Sequence, residues 1–202
     1  MNIAGIDYES VKDGDGVRTT IYVSGCSHNC YNCHNPQTHD INYGVPFTEK
    51  LQNEIIENIK KRPFISGITW SGGDPLHENC LDDVLKFTNR IRLSLPNKTI
   101  WLYTGYTLHT CKYFDEDIFT FNPHYYHPNP LNGKPLEVDD KSFLIKQDRK
   151  RVEIVKSIDV LVDGRYIDSQ RNLSAKWRGS DNQRCIDIQE SLMQSKVILY
   201  CD

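Results

Sequence analysis

Neither sign of charge dominates this 202-residue sequence: 24 Lys and Arg stand against 27 Asp and Glu, a formal net charge of −3. Bulk electrostatic attraction to nucleic acid or to an anionic membrane is therefore excluded as the basis of its binding. Long apolar runs are lacking too. No stretch approaches the roughly 18 apolar residues of a membrane span, and the amino-terminal MNIAGIDYESVKDGDG has no basic region leading into an apolar segment. The expectation is a cytoplasmic protein with neither nucleic acid nor membrane as partner. Internal repeats and low-complexity tracts are absent as well. What the chain does have is 38% hydrophobic and 10% aromatic residues, enough at this length to bury one core, so 1–202 is read as a single domain.

Strand and helix patterns alternate along the chain. RTTIYVSG (18–25), FISGITW (64–70), KTIWLYTG (98–105) and SIDVLVDG (157–164) read as buried strands. TEKLQNEIIENIKKR (48–62) reads as an amphipathic helix, with Leu51, Ile55 and Ile59 on one face, Thr48 as N-cap and Lys60, Lys61 and Arg62 at the carboxyl end. ENCLDDVLKFTNRIRLSL (78–95) is a second such helix. This order predicts an α/β fold with a parallel sheet, open or curled into part of a barrel, whose ligands gather at the carboxyl ends of the strands. Residues 111–156 look like an insertion or lid. NPHYYHPNPLNGKP (122–135) is rich in Pro, Asn and aromatics, with His124 and His127 read as surface residues, and the charged QDRKRVEIVK (147–156) is read as a solvated face.

Seven cysteines, an odd number, do not suit a secreted disulfide framework. Cys80, Cys111, Cys185 and Cys201 are scattered and read as packing residues. Cys26, Cys30 and Cys33 differ, because GCSHNCYNCHNP places three thiols within eight positions just after a predicted strand. A structural zinc site usually draws on two separated knuckles, and only Cys30-x2-Cys33 fits one, although His28 or His34 could complete a Cys3His set. An iron–sulfur cubane normally takes four thiolates, so three would leave one iron open, the mark of a catalytic centre. A second turn, TWSGGDPL (69–76), removes side chains at Gly72 and Gly73 and offers the Asp74 carboxylate, which would suit a ligand carrying an ammonium and a carboxylate. An ordinary strand-to-helix turn reads the same way.

Cys26-x3-Cys30-x2-Cys33 resembles the signature of the radical S-adenosylmethionine superfamily, and Ser71-Gly72-Gly73-Asp74-Pro75 resembles its Gly-Gly-Glu segment, which holds the methionine amino group. DGDGVRTTIYVSGC, CHNP, SGGDPL, WLYTGY, DVLVDGRY and WRGSDNQRCID together are similar to the activating proteins of the anaerobic, oxygen-sensitive ribonucleotide reductase. The likeness spans about 1–107 and 157–188. Trp177 through Arg184 separates it from the activators of pyruvate formate-lyase, which share CHNP. The resemblance implies a partial, open (β/α) barrel of the radical-SAM type with mainly parallel strands. It implies a [4Fe-4S] cluster on Cys26, Cys30 and Cys33 as the catalytic and metal centre. S-adenosylmethionine would chelate the open iron, with Asn32, Cys33, His34, Gly72, Gly73 and Asp74 beside it. Reductive cleavage would give a 5′-deoxyadenosyl radical that takes hydrogen from a glycine of the large reductase subunit.

The implied partners are that subunit and an electron donor such as a flavodoxin, in a homodimer or a heterotetramer. An aromatic residue often precedes the third cysteine in the superfamily; here Asn32 does, with Tyr31 one place earlier, which leaves the adenine contact open between them. Arg18 would neutralise charge near the cluster, steer the partner, or serve the fold alone. Asp163-Gly164 would face the active end or simply turn the chain. Asn182-Gln183-Arg184 would contact cofactor or partner, or tie down the final strand. Activation of another glycyl-radical enzyme, a radical reaction on a small molecule and a zinc-stabilised interaction module are the alternatives.

Overall fold

A computed structural model describes residues 1–113, 116–122 and 143–201. His124 and His127 lie outside the described residues. The eight-stranded sheet is built on four parallel neighbours: β2 (Val17–Val23), β4 (Ile65–Gly72), β5 (Thr99–Tyr103) and β8 (Val160–Asp163). Antiparallel strands flank them: β1 (Asn2–Ser10) and β3 (Val45–Pro46) beyond β2, and β9 (Arg184–Asp187) and β10 (Ile198–Cys201) beyond β8. The strand order is β10-β9-β8-β5-β4-β2-β1-β3, so the two ends of the sheet do not pair with each other. The expected α/β class with parallel central strands is present, and no closed barrel is formed by the described strands.

Side-chain alternation assigns the two faces. Ile21, Ile68, Trp70, Ile100, Leu102 and Leu161 belong to the large core under the helices. Trp101, Val160, Val162 and Cys185 point the other way into a smaller cluster. Helix α1 (Glu49–Lys60) buries Ile55, Ile56 and Ile59, and α2 (Leu81–Ser94) buries Leu81, Val84, Phe87, Thr88 and Ile91. Trp70 meets Phe47 and Phe87 edge-on, and its indole Nε1–H donates to Thr88 Oγ1 at 3.0 Å, so this large ring is packed without stranding its polar atom.

Helix α1 starts as its sequence dictates: Thr48 has extended backbone, and its hydroxyl accepts from Leu51 N. Thr48→Ala is expected to cost about 1 kcal/mol and lower Tm by about 2–4 °C in thermal melts of the metal-free protein.

The charged run after 146 is not the solvated face that its composition suggests. Helix α3 (Phe143–Lys156) belongs to the crossover that parallel neighbours β5 and β8 require, and Ile154 and Val155 are buried. A hairpin of β6 (His109–Tyr113) and β7 (Glu116–Thr120) precedes it. Asp148, buried on the helix's inner side, accepts from Thr120 Oγ1 at 2.7 Å and Phe121 N at 2.9 Å. Arg151 donates to Leu76 O at 2.9 Å and lies 4.4 Å from the Tyr106 ring centroid. Helix α4 (Ile188–Gln194), capped by Asp187, joins the antiparallel strands β9 and β10. Among the described residues, no helix is long and apolar enough to cross a membrane.

Candidate functional site

Parallel β2, β4, β5 and β8 deliver their following loops to one end of the sheet. The cysteine loop, the Gly-Gly turn, the Thr104-Gly105 turn and Gly164 therefore meet there. Cys26, Cys30 and Cys33 are free, half-buried thiols on the wall of a cavity of about 1240 Å³, and Asn32, His34, Gly72 and Gly73 line the same cavity. The cysteine loop coils through two left-handed residues, Asn29 (φ 48°) and Asn32 (φ 54°), a conformation that asparagine adopts more readily than most residues. Cys33 N donates to Cys30 O at 3.2 Å, which tightens the knuckle. Tyr31, the aromatic neighbour of Asn32, is exposed.

Gly72 and Gly73 have a local reason to be glycine besides ligand approach. Gly72 has φ +100°, and a Cβ there would stand 2.6 Å from Val23 N; one on Gly73 would stand 2.5 Å from Gly25 O. The turn is laced to the cysteine loop by Gly73 N donating to Val23 O and Asp74 N to Gly25 O, both at 2.8 Å. Asp74 is not offered to the cavity. Its buried carboxylate accepts from Leu76 N, Thr104 Oγ1, Gly105 N and His28 Nε2. Two turns at 75–80 separate it from α2, which begins at Leu81, close to the expected start at 78.

Arg18 lies at the amino end of β2, away from the cysteine loop, and is fully buried as a structural residue. Asp163 is likewise buried, accepting from Leu108 N at 2.8 Å and from the Arg184 guanidinium, while Gly164 (φ +96°) turns the chain along the cavity wall. Gln183 donates to Gly164 O and accepts from Gly179 N, both at 2.9 Å, and Asn182 donates to Arg165 O at 2.7 Å. The late motif thus ties its own loop together and fastens β9 to β8. It also carries Trp177, held at φ 62°, and Arg178 to the cavity wall; their buried Nε1 and Nε have no hydrogen-bond partner among the described residues. These donors, His28 and Thr104 are the parts of the site that spacing alone did not single out. The sequence offers His28 only as a metal ligand, and its position between two cysteines is the signal that points to the loop.

Burial pushes the Cys26 thiol up to about 11, with the negative charge of Asp74 and of the other two cysteines adding to it against a backbone hydrogen bond from His28. A metal bound there must displace a proton. Among the described residues, no three His, Cys, Asp or Glu side chains converge on the position of a single metal ion. A polynuclear cluster makes a different demand, since each thiolate binds its own iron. Three half-buried thiols spread over one loop fit that chemistry.

Comparison with known proteins agrees. The family model described as a 4Fe-4S single cluster domain matches residues 12–121 and 139–186, leaving 122–138 outside. An Escherichia coli (strain K12) protein named anaerobic ribonucleoside-triphosphate reductase-activating protein is 36% identical over 174 residues, covering 86% of this chain and 90% of its own. Proteins of the same name from Pasteurella multocida (strain Pm70), 32% identical over 91% of this chain and 95% of theirs, and from Enterobacteria phage T4, 31% identical over 85% of both, extend the likeness. A 4Fe-4S domain model matched over most of the chain and relatives of one name aligned over most of their length place this chain in the family of anaerobic ribonucleoside-triphosphate reductase-activating proteins.

Proposed function

We propose that this protein installs a glycyl radical in an anaerobic ribonucleoside-triphosphate reductase. The observation that carries the reading is the placement of Cys26, Cys30 and Cys33 beside Gly72 and Gly73 on one cavity wall in a chain whose relatives are named for activating that reductase. Cys26, Cys30 and Cys33 would hold a [4Fe-4S] cluster, which with S-adenosylmethionine and one electron from a donor such as a flavodoxin would supply the reductive cleavage that directs a 5′-deoxyadenosyl radical to a glycine Cα of the reductase. The sheet is then the open, partial barrel of the radical-SAM type.

The protein's own residues bind, orient and shield. The three thiols release protons on binding metal. Gly72 and Gly73 present backbone rather than side chains to the methionine end. Asn32 and His34 flank the thiols on the same wall. Trp177 and Arg178 line the same cavity, and their Nε1 and Nε are buried without a hydrogen-bond partner among the described residues. The cavity exceeds the roughly 300–1,000 Å³ of a small-molecule pocket, which leaves room for a segment of a protein substrate beside the cofactor.

The test is anaerobic incubation of the reconstituted, reduced protein with S-adenosylmethionine and the reductase, read as a glycine-centred EPR doublet. A doublet on the ribonucleotide reductase and none on pyruvate formate-lyase is the expected result. A signal on the lyase alone, or on neither, would overturn the assignment.

A further inference from the structure

Three loops at the cavity are joined through the side chains of Asp74 and His28, and a fourth reaches the His28 carbonyl oxygen. Asp74, 1% exposed, sits at the end of the β4 turn. Its Oδ2 accepts from His28 Nε2 at 2.6 Å and Gly105 N at 3.0 Å, while Oδ1 accepts from Thr104 Oγ1 and Leu76 N, both at 2.8 Å. His28 comes from the cysteine loop after β2, between Cys26 and Cys30. Thr104 and Gly105 come from the turn after β5. Arg165, after β8, donates to the His28 carbonyl oxygen. The imidazole stands edge-on to Tyr106, ring centroids 4.7 Å apart. Gly105 makes room for it: a Cβ there would lie 2.4 Å from His28 Cδ2.

We propose that Asp74 and His28 are positioning residues that hold the cysteine loop in its binding shape before the cluster arrives. The proposal rests on the reading that Cys26, Cys30 and Cys33 carry the cluster. Its physical basis is that a loop with two left-handed asparagines and half-buried thiols has little packing of its own, so a charge-assisted bond in a buried setting fixes it far more firmly than an exposed one would. The arrangement parallels a carboxylate that orients a metal-site histidine, whose loss typically costs 10–100-fold in metal affinity, except that here the histidine orients the loop rather than ligating. Asp74 therefore acts through His28, and its carboxylate is already filled by protein donors.

Two measurements on the full chain test this. In the metal-free protein, hydrogen exchange of peptides covering 26–34 is expected to quicken about 10-fold or more in His28→Phe, which keeps a ring but removes the donor, and to stay near wild type in His28→Gln, which can still donate to Asp74. In the anaerobically reconstituted protein, His28→Phe is expected to lose iron to a chelator about 10–100-fold faster than wild type and to show a weakened change in the reduced-cluster EPR signal on adding S-adenosylmethionine; His28→Gln should retain both properties. Unaltered exchange in His28→Phe, or equal losses in Phe and Gln, would overturn the proposal, since packing alone would then explain the site. Wild-type protein that takes up no iron would instead sink the functional reading, and the exchange experiment would still decide whether the anchor exists.

Discussion

Cys30→Ala is expected to leave a folded protein that makes no 5′-deoxyadenosine. Wild-type protein reconstituted without oxygen should hold about four irons and four sulfides and cleave S-adenosylmethionine when strongly reduced. The variant keeps two thiolates of three, too few to hold a cubane, so iron should fall well below stoichiometric and turnover by at least ~10³-fold, the scale seen when a reacting group is removed rather than misaligned. Cys30 is half-buried in a loop outside the large core, so the metal-free Tm should move by no more than about 1–2 °C, as for a substitution away from packed features. Cys111→Ser, on the hairpin strand β6, serves as the control and should keep both iron and turnover. Undiminished cleavage by Cys30→Ala would remove the mechanism.

Arg18→Met should produce the largest loss of stability. Arg18 is fully buried, yet its acceptors are hydroxyls and carbonyls rather than a carboxylate. Nε donates to Thr69 Oγ1 at 2.8 Å, Nη1 to Asp15 O and Thr99 Oγ1 at 3.0 Å, and Nη2 to Ile68 O at 2.6 Å and Thr99 O at 3.0 Å. The guanidinium carbon lies 5.3 Å from the Trp101 ring centroid. Burial draws its pKa down to about 10, which still leaves it charged at neutral pH. Methionine fills much of the volume but strands these acceptors, and the expected cost is about 3–5 kcal/mol. In urea titrations of metal-free protein that appears as a lower midpoint, and in melts as a Tm lower by roughly 6–20 °C. Lysine should not rescue it, because a single ammonium cannot span acceptors on β4, β5 and the 13–16 turn. Iron content per folded molecule should be unchanged, since Arg18 is at the far end of its strand from the thiols. A variant as stable as wild type would show that these bonds contribute nothing net.

The elements that were legible in advance are those whose causes are local. Helix α1 announces itself by an apolar residue every fourth position and a threonine cap. The central strands show as short β-branched and aromatic runs closed by glycine. Three thiols inside eight residues cannot be far apart in space however the chain folds. The charges from residue 147 onward look solvated in the sequence because their partners are distant: Thr120 and Phe121, which donate to Asp148, lie 27–28 positions away.

By itself, then, the sequence determined the α/β class, the parallel centre of the sheet and the clustering of Cys26, Cys30 and Cys33, because periodicity, capping and short spacing act over a few residues. Only the tertiary structure decided that Arg18 braces the amino end of the sheet, that the Asp74 carboxylate is filled from within the protein, and that His28 ties the cysteine loop to it. Those roles depend on partners 30 to 81 positions apart, brought together by strand order and burial, and a side chain's chemistry is set by whichever groups the fold places against it.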